Sequence, residues 1–178
     1  AVGDYVEMGI MGWQDTPEYK RLLEIVEPYE YRERYTMPKY LINACGDQFF
    51  LPDSWKFYYK DLTGRKHLRY VPNTGHSLDG SDAVYSLATY YNAILNKTKL
   101  PEYDWNVQED GSIKVSTKVR PKEVLLWQCT NTETRDFRIE TTGKTWTNSK
   151  LRPVSRGTYV GKVPEPEKGW TAFMVELT

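Results

Sequence analysis

The sequence contains no apolar run that approaches the roughly 20 residues needed to cross a bilayer, so we expect no membrane insertion. Its 24 basic and 24 acidic residues cancel. Without an excess of positive charge, nucleic acid is not an expected partner. A signal peptide is not recognisable, and the chain begins at Ala1 rather than at Met. We therefore expect a processed protein or a segment of a longer polypeptide.

Cysteine and histidine are scarce, with two residues of each. Cys45 and Cys129 lie in different predicted strands and in different predicted domains, so buried free thiols are a better interpretation than a disulfide. Neither residue type occurs at the spacing of a zinc site, and no carboxylates cluster at ligand spacing. The sequence therefore predicts no metal ion and no other cofactor.

The texture of the sequence changes near Leu100. Before this point helical periodicity alternates with short apolar runs, whereas after it short alternating segments are separated by turn residues. A chain of 178 residues is long enough for one large domain or two small ones. We predict an α/β domain over residues 1–98, a linker over residues 99–103 and an all-β domain over residues 104–178.

The first domain shows the order strand, helix, strand, helix. Apolar runs at residues 39–45 and 66–71 predict two buried strands. The predicted helices begin at Pro17, at Pro52 (from which the helix runs to Leu62), and after a cap at Asp79 or Ser81. This order implies parallel strands joined by a crossover, as in an α/β fold.

The second domain is predicted to be a small antiparallel sandwich, similar to immunoglobulin or fibronectin type III modules, without a helix. Short strands at regular spacing support this prediction, and they are expected at residues 113–119, 123–129, 137–140, 158–163 and 171–177. Trp127, Trp146 and Trp170 are candidates for its core. If they are exposed instead, carbohydrate binding becomes a further, weaker hypothesis.

Asp47 and His76 each follow a glycine just past one of the two predicted parallel strands. The carboxyl ends of neighbouring parallel strands meet at one edge of a sheet, where functional groups are commonly placed. An aspartate there can accept the N–H of a histidine and fix its tautomer, and the histidine can then act as a base. We therefore predict Asp47 and His76 to be the acid and the base of a catalytic triad.

Other residues are weaker candidates for these roles. A loop Asp after Gly is also common in turns and caps, so each residue alone carries little weight. Asp79 and Asp82 could compete for the acid role, but they fit helix-start chemistry better. His67 lies inside a predicted strand, which favours a structural role. The nucleophile elbow Gly-x-Ser-x-Gly occurs nowhere in the sequence, so the serine would have to lie outside this chain.

At these residues the sequence resembles the PhoPQ-activated pathogenicity-related protein family, which also includes secreted proteins described as autocrine proliferation repressors. The resemblance covers nearly the whole chain. The stretches that carry it are residues 26–38, 46–54, 68–78 and 169–178. It implies an α/β-hydrolase-like domain followed by a β-sandwich, with Asp47 and His76 in the triad and a serine upstream. Gln48 stands where the family often has an acidic residue.

Two hypotheses follow for the function. In the first, the chain is the C-terminal portion of a serine α/β-hydrolase acting on an unknown ester or peptide. It would be inactive alone, because its partner would be the missing N-terminal hydrolase segment, on the same or a cleaved polypeptide. In the second, it belongs to a secreted signalling or interaction protein that keeps the scaffold without turnover. The resemblance also implies an extracytoplasmic or secreted location.

Overall fold

The computed structural model describes residues 2–178. The helices are α1 (Gly3–Glu7), α2 (Pro17–Val26), α3 (Ala83–Leu95) and α4 (Ile139–Thr142), with 3-10 helices at Ile10–Trp13, Pro28–Arg34 and Pro52–Phe57. The strands are β1 (Lys39–Ala44), β2 (Lys66–Val71), β3 (Tyr103–Val107), β4 (Ile113–Thr117), β5 (Val124–Asn131), β6 (Thr147–Lys150), β7 (Thr158–Gly161) and β8 (Trp170–Leu177).

The first half is built on a two-stranded parallel sheet. β1 pairs with β2 along its whole length, from Lys39 opposite Lys66 to Ala44 opposite Val71. Helix α3 packs on this sheet, where the rings of Tyr40 and Tyr90 stack at 4.8 Å between centroids. The predicted parallel pair is therefore present.

The crossover between the two strands is shorter than the predicted helix over residues 52–62. A 3-10 helix spans only Pro52–Phe57. Lys66 supplies the physical reason, because its ammonium group donates hydrogen bonds to the main-chain carbonyls of Tyr59 and Leu62 at 2.5 and 2.8 Å. Those carbonyls would otherwise accept the next bonds of a continuing helix. Before α3, Ser81 Oγ accepts the N–H of Ala83 at 3.3 Å, while Asp79 does not cap the helix.

The second half consists of two three-stranded antiparallel sheets, in the orders β3-β4-β7 and β6-β5-β8. The two sheets face each other closely at Gly161 of β7. A Cβ atom at this position would lie 2.5 Å from Val175 Cγ2 and 3.0 Å from Leu126 Cδ1, on the opposing sheet. The predicted antiparallel β architecture is confirmed at this level.

Two details of the β-domain prediction are wrong. Residues 137–140 are not a strand, because helix α4 begins at Ile139. The carboxylate of Asp136 accepts the N–H of Arg138 at 3.1 Å and so turns the chain into that helix. The sequence analysis also missed two strands, β3 and β6. The first of these begins at Tyr103, inside the predicted linker.

A buried cluster joins the two halves. It contains Cys45 from the end of β1, together with Cys129 and Trp146 from the sandwich. Both cysteines are free and buried, as predicted. Trp146 belongs to this cluster, as its candidacy for the core predicted, whereas Trp170 does not, because it is 45% exposed.

One side of the parallel sheet is uncovered in residues 2–178. Within this range β1 pairs only with β2. Helix α3 carries a stripe of exposed apolar side chains at helical spacing, formed by Val84, Leu87, Tyr91 and Leu95. An unpaired inner strand beside an exposed apolar helix face is a surface that other chain segments normally cover.

The close approach of the two β-sheets predicts that Gly161→Ala destabilises the protein. The added methyl group has to displace Val175, whose branched side chain has few alternative rotamers. We expect the free energy of unfolding to fall by about 1–3 kcal/mol, measured by urea denaturation. Gly12→Ala is the matched control, because nothing lies within 4 Å of a Cβ at that position. Equal effects of the two substitutions would contradict the packing described here.

Candidate active site

The structure brings Asp47 and His76 together at one edge of the parallel sheet. Their loops leave β1 and β2 at the same level, because Ala44 lies opposite Val71. His76 Nδ1 lies 3.1 Å from both Asp47 Oδ1 and Asp47 Oδ2. The two residues predicted to form an acid–base pair are thus in direct contact, although they lie in separate loops.

Asp47 is buried, with 4% of its surface exposed. Its Oδ1 atom accepts hydrogen bonds from the N–H groups of Phe49 and Phe50, both at 2.8 Å. The carboxylate therefore organises its own loop in addition to contacting His76. This arrangement fixes the oxygen atoms before any substrate binds.

His76 is more accessible, with 41% of its side chain exposed. The ring lies against Phe49 and Phe50, at 5.0 and 5.2 Å between centroids, and its backbone N–H donates to Gln48 Oε1 at 3.2 Å. Hydrogen bonding of Nδ1–H to a carboxylate leaves Nε2 as the acceptor atom of the neutral ring. Within residues 2–178, no hydrogen bond to Nε2 is formed.

The competing carboxylates do not reach this histidine. Asp82 forms an ion pair with Arg69 of β2. The N–H of Asp79 bonds to Ser77 Oγ at 3.4 Å, which ties that hydroxyl to its own loop. Neither aspartate makes a hydrogen bond to His76.

His67 is held in a packing role. Its ring makes edge contacts with Tyr90 and Tyr103, at 5.5 and 5.4 Å between centroids. Burial lowers its pKa below the ordinary histidine value, so the neutral form is favoured. Its Nε2 atom lies 3.2 Å from the carbonyl of Pro101, which leaves the ring without an open reactive atom in the described chain.

Sequence reasoning did not foresee the amide of Gln48 or the rings of Phe49 and Phe50 as parts of this site. Their position directly after Asp47 is the one available signal. Across residues 2–178, no three His, Cys, Asp or Glu side chains are grouped so that they could hold a metal ion. In the same range, no helix combines the length and apolarity needed to cross a membrane.

Comparison with known proteins places the chain. A model of the PhoPQ-activated pathogenicity-related protein family matches residues 1–138. The chain belongs to this family. The match includes the loops of both Asp47 and His76, so the acid–base geometry lies within the family region of this PhoPQ-related chain.

One relative of this PhoPQ-related chain is Autocrine proliferation repressor protein A of Dictyostelium discoideum. It is 35% identical over 198 residues, an alignment that covers 99% of this chain and 40% of the relative. The chain therefore spans less than half the length of the curated relative that it matches. No solved structure matches it.

Replacing Asp47 by Asn is predicted to separate the two roles of the carboxylate. The Asn Oδ1 can still accept the N–H groups of Phe49 and Phe50, but its NH₂ group can only donate toward His76. We expect the loop to persist while the imidazole changes to the tautomer protonated at Nε2. Nitrogen NMR of histidine-labelled protein measures this change.

Asp47→Ala is the comparison for that experiment. It removes the acceptor of both loop N–H groups, so the free energy of unfolding should fall by about 1–3 kcal/mol. An Asp47→Asn protein that keeps the Nδ1–H tautomer would contradict the hydrogen-bond pattern described here.

Proposed function

We propose that this chain supplies the acid and the base of a serine hydrolase of the α/β-hydrolase type, acting on an ester or a peptide. The observation that carries the proposal is the contact of His76 Nδ1 with a buried aspartate at 3.1 Å, while the ring remains 41% exposed. Family membership supports it, because the match spans both residues. The substrate would meet the open side of the imidazole.

The proposed mechanism follows from the orientation of the ring. Nε2 of His76 takes the proton of a serine hydroxyl as the serine oxygen attacks the carbonyl carbon of the substrate. Asp47 stabilises the imidazolium that forms, and His76 then passes the proton to the leaving group. Hydrolysis of the acyl intermediate repeats these transfers with water as the nucleophile.

The serine is proposed to come from outside this chain. Ser77 is adjacent to His76, and its hydroxyl accepts the N–H of Asp79 at 3.4 Å, so it fits a turn rather than a nucleophile. The longer relative has room for such a segment, because this chain covers 40% of it. Alone, the chain would have no turnover.

The partner surface for that segment is proposed to be β1 and the apolar stripe of α3. Additional strands of a larger parallel sheet would pair with the free edge of β1 and extend the hydrolase-like domain. The same segment would cover Val84, Leu87, Tyr91 and Leu95, which are exposed here. It could belong to the same polypeptide or remain bound after cleavage. The β-domain would then be an immunoglobulin- or fibronectin-like sandwich beside the cleft.

A second candidate function is a secreted signalling or interaction protein without turnover. The observation that favours it is the likeness to a protein named an autocrine proliferation repressor. A serine at a strand-to-helix elbow in the natural polypeptide would favour the enzyme, and its replacement would favour signalling. Carbohydrate binding through the sandwich stays a weaker hypothesis, because of its three tryptophans named above only Trp170 is exposed.

The enzymatic proposal predicts the effect of removing the base. In the full natural polypeptide, His76→Ala should lower kcat/KM for a model ester by about 10²- to 10⁴-fold, the range of general-base catalysis. It should also slow labelling of the serine by a fluorophosphonate probe. Wild-type rates in the His76→Ala protein would refute the proposal.

A pair of Asp-to-Asn variants provides the matched control. Asp47→Asn should lower the rate by a similar factor, because the ring loses its orienting acceptor. Asp79→Asn changes a carboxylate in the neighbouring loop that makes no hydrogen bond to His76, and it should retain the wild-type rate. A loss of equal size in both variants would argue against a specific role for Asp47.

A further inference from the structure

Helix α4 brings the sandwich into direct contact with the loop of Asp47. The N–H of Ile139, its first residue, donates to the carbonyl of Gly46 at 3.0 Å. The turn before the helix is fixed by Asp136, whose carboxylate bonds to the guanidinium of Arg138 and to Thr141 Oγ1 at 2.9 Å. A well-anchored segment of the β-domain therefore adjoins the residue that precedes the candidate acid.

The side chain of Ile139 also contacts the loop of His76. A Cβ atom at Gly75 would lie 3.0 Å from Ile139 Cγ2, and one at Gly46 would lie 3.0 Å from Ile139 Cβ. One aliphatic side chain thus fills the space next to the glycine before each member of the pair. No other residue approaches both glycines this closely within the described chain.

This contact explains why glycine occupies both positions. Gly46 and Gly75 are not among the glycines with positive φ, so the backbone conformation itself does not require glycine there. The requirement comes from close approach. At Gly46 the crowding atoms include the main-chain oxygen of Thr74 and the main-chain nitrogen of Ile139, each 2.9 Å from a Cβ. At Gly75 they are the side chains of Ile139 and Gln48.

A second tie holds the same loop to the sandwich. The side chain of Asn73 donates to the carbonyl of Trp146 at 3.0 Å and accepts its N–H at 2.9 Å. Trp146 is buried between the two halves. The segment leading to His76 is therefore held by the β-domain at Asn73 and at Gly75.

We infer that Ile139 is a positioning residue for the Asp47–His76 pair, and that the sandwich is a structural component of the candidate site. Ile139 sets the separation of the two loops through Gly46 and Gly75. Its effect on turnover rests on the proposed hydrolase function, whereas its effect on the geometry of the pair does not.

Compensating substitutions in the full natural polypeptide test this inference. Gly75→Ala should push the loop of His76 away from Ile139. The loss of the Asp47 hydrogen bond should appear in nitrogen NMR as a mixture of imidazole tautomers, with the His76 signal assigned from its absence in His76→Gln. Ile139→Ala removes Cγ2, so the double variant should regain the Nδ1–H tautomer. Ile139→Val keeps both γ carbons and should resemble the wild type.

Gly46→Ala is the internal control, because its crowding atoms include main-chain atoms that Ile139→Ala leaves in place. We expect Ile139→Ala to rescue Gly75→Ala and not Gly46→Ala. An unchanged tautomer in Gly75→Ala, or a double variant no better than Gly75→Ala, overturns the inference. Urea unfolding of each variant shows that the comparison is made on folded protein.

Turnover provides a separate readout. Gly75→Ala should lower kcat by about 10- to 100-fold with little change in KM, as expected for displacement of a catalytic group, and the double variant should recover most of the loss. Rescue of the tautomer in a protein with no hydrolase activity would support the positioning role and refute the proposed function. Loss of kcat without a change in tautomer would refute the positioning role.

Discussion

The parallel pairing of β1 with β2 is the constraint on which the candidate site depends. Because Ala44 lies opposite Val71, the two strands end at the same level and their following loops meet. A shift of one residue would turn every side chain of a strand to the opposite face. Tyr40 would then leave the stacking contact with Tyr90, and the loop of Asp47 would move away from the loop of His76.

The loops themselves are fixed mainly by bonds between side chains and the main chain. Asp47 binds two N–H groups of its own loop, Gln48 binds that of His76, and Asn73 binds both polar groups of Trp146. Such bonds define the path of the backbone more directly than contacts between flexible side chains. The result is a site on loops with a rigidity closer to that of regular secondary structure.

The sequence allowed the prediction of features that depend on local pattern. The parallel strands followed from apolar runs, and the contact of Asp47 with His76 followed from their places at the ends of those strands. The missed features depend on non-local partners. Strand β6 is exposed along its length and is held by pairing with β5, so it has no apolar pattern. Ile139 has the local pattern of a strand residue, yet the Asp136 turn and contact with Gly46 place it in a helix. No local signal links it to the loops of the site.

The buried cysteines have a practical consequence for following motion between the two halves. Cys45 comes from the parallel sheet and Cys129 from the sandwich, and both lie in the cluster between them. Burial raises the pKa of the Cys45 thiol, so the reactive thiolate is suppressed while the halves stay together. Alkylation of Cys45 therefore requires opening of this junction. The rate of alkylation thus reports how often the two halves separate, in the unmodified protein and without an introduced label.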